Sequence, residues 1–134
     1  MAYQTLISSD VLLEHLDQPD WVTVDCRFSL ADNDQGPREY QQGHITGAVY
    51  AHLDNDLSGN IVPGQTGRHP LPSPDTLAAT LAQWGIGNST QVVAYDSSNS
   101  GFAVRLWWLL TWLGHNDVAI LNGGWPVWQR GEYP

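Results

Sequence analysis

Gln91-Val92-Val93-Ala94-Tyr95-Asp96-Ser97-Ser98-Asn99-Ser100-Gly101 is the stretch that decides the fold. Its first five residues form an apolar run rich in valine, the clearest strand in the chain. The next six are small and polar, and residues 102–113 then read as a helix ended by Gly114. This is a strand–loop–helix passage of the kind that builds βαβ units.

The same alternation continues on both sides. Ser8 or Ser9 can cap a helix carrying Val11, Leu12, Leu13 and Leu16 on one face. Trp21-Val22-Thr23-Val24-Asp25 reads as a strand, residues 38–42 as a short helix stopped by Gly43, and Ala48-Val49-Tyr50 as a brief strand. Residues 54–72 are rich in Gly, Pro, Asn and Asp, which predicts a long loop, functional or packed against a partner. Ser73-Pro74-Asp75 supplies a cap, a first-turn proline and an early acid for a helix through Leu77, Leu81 and Trp84, closed by Gly85. Val118-Ala119-Ile120-Leu121 is another strand, and a last short helix falls around residues 125–130. The expectation is one α/β domain over residues 1–134, with a mainly parallel sheet of about five strands covered by helices on both faces. The helix over residues 102–113 is apolar nearly all round and should be buried on more than one side. Trp107, Trp108 and Trp112 are therefore expected in the core, or some of them against a partner domain.

Composition narrows the function. The 134 residues suffice for one domain, and five arginines without a lysine against fourteen carboxylates give a net charge of −9. Such a surface repels nucleic acid and anionic membrane. The lone Cys26 excludes an internal disulfide and a Cys-based zinc site. No signal peptide or membrane-length apolar run is visible, so the cytoplasm is the expected compartment. His52, His69 and His115 lack metal-ligand spacing, and we expect neither metal nor cofactor. Gly85-Ile86-Gly87 precedes a strand and lacks a third glycine, so a dinucleotide site fails; without lysine a P-loop is excluded, and no Gly-x-Ser-x-Gly elbow is present.

In a parallel α/β sheet, ligands bind beyond the carboxyl ends of the strands. Two such ends stand out: Asp25-Cys26-Arg27, and the loop Asp96, Ser97, Ser98, Asn99, Ser100, Gly101. A small-residue loop opening a helix can turn its N–H groups inward as an anion cradle, yet this one begins with an acid.

The motifs around these ends resemble the rhodanese family. Asp25-Cys26-Arg27, Glu39-Tyr40 and Gly43-His44-Ile45-Thr46-Gly47-Ala48 follow one another as in the first signature of that family. Gly67-Arg68-His69-Pro70-Leu71-Pro72, Ala103-Val104-Arg105-Leu106-Trp107-Trp108 and Leu121-Asn122-Gly123-Gly124-Trp125 are similar to the N-terminal half of its two-domain thiosulfate and 3-mercaptopyruvate sulfurtransferases. The resemblance covers nearly the whole chain. It implies that a catalytic domain opens its loop with a cysteine, which accepts a sulfane sulfur as a persulfide and passes it to a thiophilic acceptor. Here Asp96 holds that position, so the resemblance implies no catalytic residue in this domain. It implies instead a catalytic C-terminal rhodanese domain of the same polypeptide as partner and a small anionic sulfur donor in the cleft between them. The alternative is a stand-alone inactive module that binds a partner protein. A Cys-x5-Arg phosphatase fails for want of the nucleophile. Cys26, between Asp25 and Arg27, is expected to be a small buried residue. Asp25 and Arg105 are expected to pair beneath the loop, the alternative being two separate surface contacts. Arg68 either reaches the cleft to bind the donor's anionic group or is a solvated loop arginine. His44 is expected to fix its turn.

Overall fold

The computed structural model describes residues 3–97, 100–131 and 133. Five parallel strands form one sheet: β1 (Leu6–Ile7), β2 (Trp21–Asp25), β3 (Val49–Tyr50), β4 (Gln91–Tyr95) and β5 (Val118–Leu121), in the order β1-β5-β4-β2-β3. Five helices accompany them: α1 (Ser9–His15), α2 (Gln35–Gln42), α3 (Pro74–Gln83), α4 (Ala103–Trp112) and α5 (Gly124–Arg130).

The period-2 geometry of β4 divides the core in two. Val92 and Ala94 point to one face, where Leu77 and Leu81 of α3 and Ala103, Leu106, Leu109 and Leu110 of α4 meet them. Val93 and Tyr95 point to the other, against Leu12 of α1, Ile45 and Trp128 of α5. Every β4 residue is buried, as the centre of a doubly covered sheet requires. Full burial of one such Leu or Val contributes about 2 kcal/mol.

Helix starts follow the expected chemistry where a side chain supplies it. Ser8 Oγ accepts from Val11 N at 3.3 Å, and Ser73 Oγ accepts from Thr76 N at 3.2 Å. Gly85 leaves α3 at φ +81°, a conformation that favours glycine. Residues 54–72 contain no helix or strand, as anticipated.

Three features depart from the sequence reading. β1 is a two-residue edge strand paired with β5, too short to show a period. α2 begins at Gln35, because Pro37 is tolerated in a first turn that needs no N–H from it. α4 is covered on one side: Trp107 packs against the core, whereas Trp108 and Trp112 are 45% and 41% exposed and stack on each other at 5.8 Å.

Candidate functional site

β2 and β4 pair in register, Asp25 opposite Tyr95, so Asp25-Cys26-Arg27 and Asp96 emerge side by side at the carboxyl edge. Cys26 N donates to Tyr95 O at 2.7 Å and holds the two ends together.

Asp96 is 3% exposed. Its Oδ1 accepts from Ser100 N at 3.0 Å, and its Oδ2 from Phe102 N at 2.9 Å and Ala103 N at 2.7 Å. The loop therefore does form a cradle of backbone N–H groups at a helix N-terminus, and the carboxylate of its own first residue sits in it. Three charge-assisted bonds and the positive end of α4 offset the burial of that charge. Ser100 reaches the geometry at φ +68°, the sole non-glycine residue with positive φ among the described residues. Ser98 and Asn99 lie outside the described residues. Gly124 closes the far side: a Cβ there would lie 2.3 Å from Asp96 O, which also accepts from Trp125 N at 2.9 Å. A cavity of about 270 Å³ borders Asp96, Ser97, Ser100, Gly123, Gly124 and Pro126.

Asp25 does not pair with Arg105. Arg27, two residues on and turned the same way, reaches it first: Nη2 lies 2.7 Å from Oδ2, and Nε lies 3.1 Å from both oxygens. Both residues are buried. Arg27 Nη2 also donates to Gly43 O at 2.6 Å, its guanidinium lies 4.4 Å from the Trp125 ring, and Tyr95 Oη donates to Asp25 Oδ2 at 3.0 Å. Burial and then Asp25 push the Tyr95 hydroxyl far up, so it stays a donor. This is a closed structural network. Cys26 is buried beside it, and burial, then Asp25 and Asp96, raise its thiol well above the ordinary value. Burial and a raised pKa disfavour the thiolate, which is the nucleophilic form.

Arg105 turns instead to the long loop. Nε and Nη2 donate to Leu57 O, and Nη2 also reaches Ser58 Oγ, His69 O and Pro70 O. Arg68 is exposed and makes no hydrogen bond or ion pair among the described residues. With His69 it lines two cavities of about 310 and 280 Å³, one with Asp54 and Phe28, the other with Leu30, Leu53 and Phe102. His69 Nδ1 lies 3.1 Å from Asp54 Oδ1 without the alignment of a hydrogen bond, and neither shielded ring nitrogen has a hydrogen-bond partner among the described residues. His69 lacks metal-ligand spacing in the sequence, and the one local signal for its position here is its place beside Arg68 in a Gly/Pro-rich loop. His44 stacks on Tyr40 at 3.8 Å with Nδ1 donating to Tyr40 O at 2.7 Å, fixing its turn as expected.

The family model of the rhodanese-like domain matches residues 8–131. The chain belongs to the rhodanese family. Among the rhodanese proteins it resembles is a probable 3-mercaptopyruvate sulfurtransferase of Pseudomonas aeruginosa, 46% identical over 130 residues, which cover 96% of this chain and 46% of that protein. The 3-mercaptopyruvate sulfurtransferase of Escherichia coli K12 is 34% identical, with 98% and 46% covered. The solved 3-mercaptopyruvate sulfurtransferase from Leishmania major superposes with a TM-score of 0.87 at 30% identity, over 98% of this chain and 35% of its own. The chain thus spans about half the length, or less, of these relatives.

Proposed function

We propose that the chain is the non-catalytic rhodanese domain of a two-domain sulfurtransferase. In this reading a second rhodanese domain of the same polypeptide carries the cysteine. Its thiolate attacks the sulfane sulfur of thiosulfate, breaking the S–S bond and releasing sulfite, or the sulfur of 3-mercaptopyruvate, breaking the C–S bond and leaving a pyruvate enolate that takes up the thiol proton. The resulting persulfide yields its outer sulfur to a thiophilic acceptor, and the cysteine thiolate returns. Asp96 stands at the matching position here.

The observation that carries the reading is the Asp96 carboxylate seated on the N–H groups of Ser100, Phe102 and Ala103. A cradle filled by a tethered anion has no room for a substrate anion, and a carboxylate has no sulfur to give. The half-length match to sulfurtransferases supports the missing partner. Arg68, exposed beside His69, is the cation assigned to the donor's anionic group in the cleft. The exposed Trp108–Trp112 stack suits burial against the second domain, and it is also the face a stand-alone protein-binding module would use. The net charge of −9 argues against nucleic acid or anionic membrane as partner, and the cytoplasm is the assigned compartment.

Thiocyanate formation from thiosulfate and cyanide tests the proposal. The 134-residue chain alone should give background and the full-length protein turnover. Robust turnover by the chain alone would refute it, and an inactive full-length protein would favour the module.

A further inference from the structure

Residues 59–70 form a lobe with no helix or strand, and its neck is where residues 57–59 meet 69–71. Gly59 N donates to Pro70 O at 2.8 Å there, and the backbones are so close that a Cβ on Gly59 would lie 2.6 Å from Leu71 O. Besides the bonds from Arg105 and the His69–Asp54 contact, the lobe's bonds among the described residues, such as Val62 N to Thr66 Oγ1 at 2.9 Å, are internal to it. Its tip is exposed at Ile61 and Val62.

Arg105 enters this neck from the first turn of α4. Nη2 donates to Leu57 O at 2.9 Å, His69 O at 3.1 Å and Pro70 O at 3.1 Å, and Nε to Leu57 O at 3.1 Å. Three converging carbonyl oxygens repel one another, and a planar multi-donor cation is the side chain that can satisfy them together. The carbonyl that Arg105 grips at His69 belongs to the residue directly after Arg68. Arg105 also lies two residues beyond Ala103, whose N–H holds Asp96. One side chain thus links the start of α4 to the segment that carries the exposed cation.

We propose that Arg105 is a positioning residue: by pinning the neck of the lobe to α4, it fixes where Arg68 presents its charge to the anionic sulfur donor. The inference rests on the reading of Arg68 as the cleft cation and names how that cation is held in place. Arg105 itself touches no reacting atom.

The test uses the full-length protein with Arg105→Met, Arg105→Lys, Arg68→Ala and the Arg68→Ala/Arg105→Met double variant. Arg105→Met should raise KM for the donor about tenfold, the scale of one lost charge-assisted bond, and leave kcat nearly unchanged. Arg105→Lys, which keeps the charge without the fork, should fall between, and it serves if the methionine variant does not fold. Because Arg105 acts through Arg68, the double variant should have the KM of Arg68→Ala alone. Amide exchange should quicken at residues 59–67 in Arg105→Met and stay slow in β4. Independent, multiplying effects on KM, or an unchanged lobe exchange, would overturn the proposal. So would a normal KM in Arg68→Ala. A wild-type full-length protein without sulfur transfer would instead overturn the functional reading beneath it, and the exchange data would still decide whether Arg105 holds the lobe.

Discussion

The loop after β4 and the lobe of residues 59–70 lie at the same edge of the sheet and handle charge in opposite ways. Asp96 is buried with its carboxylate spent on three backbone N–H groups. Arg68 is exposed with no partner among the described residues, beside a shielded histidine whose ring nitrogens lack hydrogen bonds. A satisfied charge holds structure, whereas an unsatisfied one near a cavity is available for a ligand. By that contrast the backbone cradle after β4 is filled by its own acid, and in the proposed reading what the domain would offer a second one comes from the lobe.

Substitutions that should matter only to structure form one side of the contrast. Asp25→Ala leaves the buried Arg27 without its counter-charge and should cost about 4 kcal/mol by denaturant unfolding; a cost near zero would break the view of that network as structural. Asp96→Ala orphans the N–H groups at the start of α4 and should cost about 2 kcal/mol, with Asp96→Asn recovering part of it. Alkaline pH gives a smaller effect. The Cys26 thiol is raised in the folded state, so the fold holds that proton more tightly than the unfolded chain does. Stability is then full below the unfolded thiol's pKa and falls above about pH 9 by at most about 1.4 kcal/mol per pH unit from this group. Cys26→Ala should remove that part of the slope. On the other side, Arg68→Ala should change stability by less than about 0.5 kcal/mol while raising KM of the full-length protein. A large stability loss there would erase the distinction between the two loops.

Most of the fold was legible because β4, β5, α3 and α4 are local patterns: runs of Val and Leu, a Ser-Pro-Asp start, glycine stops. β1 was not, since two residues carry no period and Leu6 faces solvent. The sequence leaves core and partner face both open for Trp107, Trp108 and Trp112, because an apolar helix looks the same whether its second face meets its own sheet or another body. The structure puts Trp107 against the core and leaves Trp108 and Trp112 exposed. At the site, the cradle and the acid at its mouth were readable, but not that the acid fills the cradle. That depends on a return of the chain through Ser100, Phe102 and Ala103. The Asp25 partner was misread for a related reason: Arg27 and Arg105 are equally plausible by type, and only side-chain direction at the strand end chooses between them. The role of Arg105 at the lobe neck had no local signal, since its acceptors are main-chain carbonyls 35 to 48 residues away.

The most direct test of the central claim is to treat the full-length protein with thiosulfate and locate the added sulfur atom by peptide mass spectrometry. The account predicts a persulfide on a cysteine outside residues 1–134 and none on Cys26. A persulfide on Cys26 would contradict it.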